Sequence, residues 1–443
     1  MDILKDQIKP LYFKYLVAAS GSAMVASVFG MVDAMMVGQY HGPIGTAALA
    51  VFSPLWSIIY CLGLLSGIGG SVLFANHRGR GEEHHARQYF TLSVLYGILL
   101  SALAMVGIGL FQNQLFRFFG ADDELLGLAK QYLKPILFAI PCCVFSNILS
   151  AYLRNDNNPT LATKAVVIGG VFNCIGDYVC VFVLDMGILG AGLATAAAQY
   201  VAIGVMLTHF ASRKNTLRLV KPVAVLEKIG TISVTGFSTA VSDLALGIIG
   251  ILFNRQIMKY LGSDALAVYG IITQVTAFGQ CIAYGTGQAA QPIISQNYGA
   301  GQYHRIGECV KYSLYTCLGM GLVWLGAMLA FPVTIMNFFM DATPEVAAIA
   351  PKILRTYGLS YLLLPFNIFA TYYFQAMIRP NLAMIASFAR GVIISGSLIM
   401  LLPSVLGPDS IWYAMLTTEV FVALYGAYYM IRCGRQMYER GIS

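Results

Sequence analysis

The residues of this sequence that could do chemistry are a few charges set deep inside apolar runs. Asp33, Asp177, Asp243, Arg390 and Glu419 all lie in stretches that otherwise carry almost no charge. An Asp at the centre of a membrane span costs ~2.5–3.5 kcal/mol on insertion scales, so such residues usually face a cavity and act there. Asp33 sits late in the first apolar run, between Gly30 and Gly38. Asn173 and Asp177 are four residues apart, which places both on one face of a helix. Two carboxylates and an amide oxygen suit a monovalent cation, and Thr195 in the following run would add a hydroxyl oxygen. The same carboxylates would also suit one shared proton, because two close acids resist ionising together. The competing reading is that these groups only bridge helices. Asp243, near the start of its run, is either a counter-ion for substrate or an interfacial charge. Arg390 and Glu419 either pair as a structural bridge or leave Glu419 to bind substrate.

These residues need elements to position them, and composition names the kind. The chain has 443 residues, 58% hydrophobic and 11% charged, with a mean hydropathy of +0.71. Soluble domains carry about 25% charged residues. The sequence therefore excludes an ordinary soluble enzyme, a disordered chain and a secreted disulfide scaffold. Apolar runs long enough to span a bilayer fall roughly at 11–37, 44–75, 88–112, 126–152, 160–184, 188–211, 231–257, 263–297, 307–339, 346–377, 381–402 and 410–432. The runs at 44–75, 263–297 and 307–339 exceed what a bilayer needs, and tilt or extension past the headgroups would absorb the excess.

The expected fold is an all-α polytopic membrane protein with 12 transmembrane helices. The net charge of +7 sits between apolar runs as a topology signal, so no nucleic acid is expected as a partner. One set of loops carries most of the basic residues, among them Lys5, Arg78, Arg80, Arg87, Arg154, Arg213, Lys214, Arg305, Arg379 and Arg440. The opposite set carries only Arg117, Lys130, Lys134, Arg255, Lys259, Lys352 and Arg355. The positive-inside rule places both termini in the cytoplasm. The polar start, Met1 to Pro10, does not read as a cleavable signal peptide.

The chain repeats itself. Thr46-Ala-Ala-Leu-Ala-Val51 matches Ser263-Asp-Ala-Leu-Ala-Val268, and Asn76-His-Arg-Gly-Arg-Gly81 matches Gln296-Asn-Tyr-Gly-Ala-Gly301. Phe118-Phe119 matches Phe338-Phe339, each before an acidic turn, and Pro159-Thr-Leu-Ala162 matches Pro380-Asn-Leu-Ala383. The collinear order of the four matches is the strong signal. It predicts two pseudo-symmetric six-helix lobes of the same orientation, one rocking against the other around a site near the midplane, as in many transporters. The N-terminal lobe would be residues 1–211 and the C-terminal lobe 231–443. The stretch 212–230, with Arg213, Lys214, Arg218, Lys221 and Lys228 against Glu227, would be a cytoplasmic linker. The halves differ where chemistry is expected. Asp177 aligns with Leu398 and Asn173 with Ile394, and Asp33 falls near Asn254, so the carboxylate cluster belongs to the first half.

Other chemistries find no support. The nine Cys show no CxxC and no regular spacing, and read as small apolar core residues. His84-His85 reads as a solvated turn, His209 lies at a span end, and no His lies mid-span. With no P-loop and no HExxH, neither ATP-driven transport by this chain alone nor an intramembrane enzyme is expected. No cofactor is expected either. Gly67-Ile-Gly-Gly70 reads as close helix packing. The 26 Tyr, 25 Phe and 19 Met are compatible with adaptable apolar or cationic ligands.

Five stretches resemble one family. Val32-Asp-Ala-Met-Met-Val-Gly38 resembles the first-span VDxxxVG signature of bacterial multidrug and toxic compound extrusion (MATE) transporters. Asn173-Cys-Ile-Gly-Asp177 and Gly187-Ile-Leu-Gly-Ala-Gly-Leu-Ala-Thr195 resemble that family's NxxxD and GAxxAT patterns. Gln291-Pro-Ile-Ile-Ser-Gln-Asn-Tyr-Gly-Ala-Gly301 resembles its QPxxxxNYGA segment, Ser387-Phe-Ala-Arg390 its SxxR, and Ile411-Trp412 through Glu419 its IWxxxxxxE. The resemblance implies two six-helix lobes around a central cavity, and export of organic cations and other drugs from the bacterial cytoplasmic (inner) membrane in exchange for H⁺ or Na⁺; a two-lobed carrier can work as a monomer. It implies a cation or proton site at Asp33, Asn173, Asp177 and Thr195, with Na⁺ held by Asp33, Asn173 and Asp177 if sodium is the ion. Asp243 sits where related bacterial members carry a seventh-span acid, but the usual GxP of that span reads Gly236-Phe-Ser238 here. No proline lies between Pro10 and Pro43, so any bend in the first helix falls to Gly21 or Gly30. The rival within the wider superfamily is a lipid-linked saccharide flippase or other metabolite exporter. A flippase would need a basic cavity for pyrophosphate, and Arg390 is the lone basic mid-span residue.

Overall fold

The computed structural model describes residues 2–339 and 343–442, and the described residues form helices and turns with no strand. The acidic turn expected after Phe339 and the side chain of Arg440 lie outside the described residues. The first six helices are α1 (Ile8–His41), α2 (Pro43–Gly79), α3 (Glu83–Phe118), α4 (Asp123–Asn155), α5 (Pro159–Asp177) and α6 (Gly187–Leu207). The rest are α7 (Val225–Tyr260), α8 (Gly262–Gly299), α9 (Tyr303–Ala330), α10 (Pro332–Phe339), α11 (Pro344–Gly358), α12 (Leu364–Ala376), α13 (Pro380–Phe388), α14 (Ile394–Val405) and α15 (Ala414–Ile442).

Local chemistry sets the starts and stops. Asp122 caps α4 by accepting the Leu125 N–H at 2.8 Å, and Thr343 caps α11 by accepting that of Val346. Proline opens α2, α5, α11, α12 and α13, where its missing N–H leaves nothing unsatisfied. Among the described residues, 11 helices are long and apolar enough to cross a membrane. The fifth crossing runs from α5 into a π turn at Tyr178–Val183, and the eleventh joins α13 to α14 through a π turn at Ala389–Ile393. The tenth crossing, expected over 346–377, consists of α11 and α12 joined by a 3₁₀ turn at Leu359–Leu362. Neither half alone has spanning length, and Pro365 at the start of α12 accounts for the break, since it has no N–H to offer the Tyr361 carbonyl one turn back.

Two of the three over-long runs are continuous helices, α2 with 37 residues and α8 with 38. At 1.5 Å per residue each is roughly 55 Å long, well beyond a hydrocarbon core of ~30 Å. The third corrects the expectation of one span over 307–339. The chain leaves the helix at Phe331 (φ −124°, ψ 39°) and restarts at Pro332 as the short α10. The residue before a proline is pushed out of the helical region, so Pro332 is the cause. α7 begins at Val225, so the last residues of the 212–230 stretch are already helical.

The chain forms two compact units. One holds Gly21–Ala240, and the other holds Leu4–Ser20 together with the chain from Val241. α1 and α7 each contribute to both, with changes at Ser20/Gly21 and Ala240/Val241. In the first unit, the run Gly67-Ile-Gly-Gly70 lets α2 approach three neighbours. A Cβ on Gly67 would lie 2.9 Å from the Ile148 Cα, one on Gly69 2.1 Å from the Ile232 carbonyl, and one on Gly70 1.8 Å from Ser93 Oγ. Small residues at such crossings bring backbones into contact, as the sequence led us to expect. In the second unit, Tyr12 near the start of α1 is buried, donates to Thr316 Oγ at 3.1 Å and stacks on Tyr312. The nine cysteines are free, and six of them are buried among apolar residues.

Candidate functional site

Four helices of the first unit build the carboxylate cluster. α1 supplies Asp33, α4 supplies Tyr132, α5 supplies Asn173 and Asp177, and α6 supplies Thr195. The i, i+4 spacing does put Asn173 and Asp177 side by side: Asn173 Nδ2 donates to Asp177 Oδ1 at 3.3 Å. The same amide nitrogen lies 3.3 Å from Thr195 Oγ1, which joins α5 to α6. Tyr132 closes the chain. Its hydroxyl donates to Asp33 Oδ2 at 2.7 Å and lies 3.5 Å from Thr195 Oγ1. The four predicted residues therefore form one network with Tyr132 as its link. All five side chains are buried or half-buried, and Asp177 is 0% exposed.

Packing explains why the network holds its shape. A Cβ on Gly192 would sit 2.4 Å from the Tyr132 carbonyl, so glycine there lets α6 lie against α4 beside the phenol. A Cβ on Gly190 would lie 2.6 Å from the Cys180 backbone, which brings α6 against the π turn that follows Asp177. The Tyr132 ring packs edge-on against Phe52 at 4.8 Å. A π turn is a distortion often found at functional sites, and here it begins at the residue after Asp177.

The network leaves two acceptors open. Among the described residues, Asp33 Oδ1 and Asp177 Oδ2 are buried and have no hydrogen-bond partner. An unpaired buried carboxylate oxygen is costly. A proton or a cation relieves that cost in a way that the flanking apolar side chains cannot.

The second unit presents a different arrangement. Arg390 Nε donates to Glu419 Oε1 at 2.9 Å, and Asn367 Nδ2 donates to Glu419 Oε2 at 2.6 Å and to the Glu419 carbonyl at 2.8 Å. Glu419 is 0% exposed, and both of its carboxylate oxygens are engaged. The structure brings Arg390 and Glu419 together as the bridge reading requires. Asp243 is half-buried on α7, and Tyr284 from α8 donates to its Oδ1 at 3.2 Å.

The sequence did not single out Tyr132, Tyr284 or Asn367. A buried phenol must find a partner for its hydroxyl, but with 26 Tyr in the chain that signal marks no one position. Asn367 likewise stands in an apolar run with no motif around it.

The fold and its buried charges define a polytopic helical membrane protein that keeps ionisable groups inside its spans. The chain belongs to the MatE family, whose model matches residues 19–179 and again 238–398, and it is a MATE family transporter. The double match is the internal repeat seen in the sequence. The chain is similar, at 23% identity over 424 residues, to the multidrug export protein MepA of Staphylococcus saprophyticus, with 94% of this chain and 93% of the relative covered. MepA of Staphylococcus haemolyticus is 24% identical over 416 residues, covering 92% of this chain and 90% of its own. Among solved structures, the outward-facing conformation of a multidrug resistance MATE family transporter of the MOP superfamily superposes with a TM-score of 0.91 at 19% identity, over 99% of this chain and 98% of that one. A MOP superfamily transporter from Pyrococcus furiosus, described as having a binding pocket of reversed polarity, gives 0.88 at 20% identity, over 100% and 98%. These likenesses establish the fold as all-α, with 12 spans in two six-helix lobes.

Proposed function

We infer that this protein is a secondary active multidrug efflux antiporter. It exports organic cations and other drugs in exchange for H⁺ or Na⁺ by alternating access. One observation carries the reading: Asp33 and Asp177 are buried in one network, each keeps an oxygen without a partner, and no Lys or Arg among the described residues bonds to either. The full-length similarity to multidrug export proteins supports the substrate class.

Such a pair exchanges one positive charge for another. Uptake of a proton or a sodium ion cancels one negative charge of the pair and weakens its attraction for a cationic drug. Release of the ion restores that attraction. Coupling follows if ion and drug differ in affinity for the two carrier states. Asn173 turns its amide nitrogen toward Asp177 and Thr195, a donor set that suits a charged carboxylate. A sodium ion held by Asp33, Asn173 and Asp177 would need the amide turned over to present its oxygen. The Arg390–Glu419–Asn367 set is the structural bridge of the second unit, and Asp243, which accepts from Tyr284, is a further acid within its spans. The protein acts as a monomer in the bacterial cytoplasmic membrane, and the loop charges support a cytoplasmic position for both termini.

The test is ethidium efflux from proteoliposomes, with pH and Na⁺ gradients imposed separately. Efflux driven by one gradient names the ion. Asp33→Asn and Asp177→Asn should each abolish it while the protein remains inserted. Normal efflux in both variants would refute the site. A folded wild type that moves no ethidium under either gradient would shift the assignment to a narrow exporter or a lipid-linked saccharide flippase.

A further inference from the structure

The far end of α1 is clipped to the turn that joins the fifth and sixth spans. His41 Nε2 accepts the Ile188 N–H at 3.0 Å, and the Tyr40 hydroxyl donates to Asp185 Oδ1 at 2.5 Å. The turn is shaped for this contact. Asp185 and Gly187 both take left-handed backbone angles, each with φ of 53°. A Cβ on Gly187 would lie 2.6 Å from His41 Nε2 and 2.8 Å from the Tyr40 ring, so glycine alone leaves room for the imidazole. Tyr40 also packs edge-on against His41 at 4.8 Å and against Phe182 of the π turn at 6.0 Å.

The clip lies on the helices that carry the carboxylate cluster. His41 follows Asp33 on α1 and Ile188 precedes Thr195 on α6 by about two helical turns, or ~12 Å, and Asp185 follows Asp177 beyond the π turn. It therefore fixes the Asp33 helix against the turn between the Asp177 and Thr195 helices. An imidazole accepts through Nε2 only while that nitrogen has no proton. A second proton makes it a donor facing the Ile188 N–H, and the bond is lost. Asp185, held by Tyr40, is the charged group of the turn that His41 meets. Tyr178 stands beyond Phe182 at 6.0 Å, and the opening turns of α2 and α6 carry no acid.

We propose that His41 is a positioning residue for the Asp33–Asp177 cluster, holding α1 to the Asp185–Ile188 turn only while its Nε2 is unprotonated. The role rests on the reading of that cluster as the ion site, but the clip itself is measured without transport. The experiment is amide hydrogen exchange on the purified full-length protein, corrected for the intrinsic pH dependence and read at Ile188. In the wild type, protection there should fall about five-fold, the effect of one hydrogen bond, on going from mildly alkaline to acidic buffer, once the imidazole carries its second proton. His41→Gln offers an oxygen acceptor that does not titrate and should stay protected at both ends of the range. His41→Phe and Gly187→Ala should exchange fast at every pH.

The proposal is overturned if wild-type protection is the same at both ends, or if His41→Gln follows His41→Phe. Should the disruptive variants fail to fold, the wild type and His41→Gln still decide. The second readout is the pH profile of ethidium efflux, in which His41→Gln should lose the acid-side change that the wild type shows. An identical profile in the two proteins would refute the positioning role. The expected exchange pattern in a protein that exports nothing would refute the antiporter and leave the clip intact.

Discussion

Removing either member of the Arg390–Glu419 pair should cost far more than removing both. The two charged atoms are 2.9 Å apart, and Glu419 is fully buried. At an effective dielectric of about 20, unit charges that close attract by about 6 kcal/mol. Desolvation of both groups offsets most of this, so the pair adds little net stability. Glu419→Leu leaves the guanidinium buried without its acceptor, and Arg390→Met leaves the carboxylate with Asn367 alone. Each should destabilise the protein by about 3–5 kcal/mol. The double variant should be close to wild type, so the coupling would be several kcal/mol, far above the ~0.5 kcal/mol scatter of independent sites. The assay is equilibrium unfolding in detergent for all four proteins of the cycle, with ethidium efflux measured alongside. Additive costs in the double variant would refute the bridge. So would a Glu419→Gln protein of unchanged stability but altered drug range, since that result would place the carboxylate in contact with substrate.

Three other perturbations probe separate features. Gly192→Ala would drive a Cβ to 2.4 Å from the Tyr132 carbonyl. It should part α6 from α4, destabilise by about 1–3 kcal/mol as overpacking does, and lower efflux; wild-type efflux and stability would show that the close approach is dispensable. Ile378 holds φ at 54°, where a β-branched side chain is strained by about 1–2 kcal/mol. Ile378→Asn should raise stability by about 1 kcal/mol, and no gain in the unfolding midpoint would refute the strain.

At the loop after α4, Asp156 accepts from His209 Nε2 at 2.7 Å, from the Thr216 N–H at 2.9 Å, from the Thr216 hydroxyl, and from Arg78 Nη1 at 2.9 Å. Burial alone would raise its carboxyl, but the bonds from His209 and Thr216 and the Arg78 charge outweigh it and hold the group below the usual aspartate range. A depressed carboxyl stabilises the fold above its unfolded value, about pH 3.9, and that contribution disappears as pH falls through the lower folded value. Asp156→Asn should therefore flatten the acid limb of the stability curve. It should also speed tryptic cleavage at Arg213 and Lys214, measured by limited proteolysis, and an unchanged cleavage rate would refute the anchoring of this segment.

Much of the fold was legible because a bilayer imposes a simple rule. A segment that crosses hydrocarbon must be long, apolar and helical, so run length was enough to place most of the spans. The run at 307–339 departed from that reading because hydropathy is blind to backbone geometry: the residues around Pro332 are apolar enough to span, yet proline ends the helix there. The tenth span broke near Pro365 for the same reason.

By itself the sequence determined which residues had to be explained. Asp33, Asp177, Asp243, Arg390 and Glu419 stood out because charge inside an apolar run is costly wherever the helix packs. Asn173 joined Asp177 because helical periodicity is local. The tertiary structure decided the partners. Tyr132 is 99 residues from Asp33 along the chain, and no local pattern ties its hydroxyl to that carboxylate. Asn367 reaches Glu419 from another helix and occupies the oxygen that Arg390 leaves open. His41 meets Ile188 across 147 residues, through a gap that Gly187 keeps clear. A sequence reports the cost of burying a group, whereas the group's partners depend on which helices come within 3 Å of it, and only packing fixes that distance.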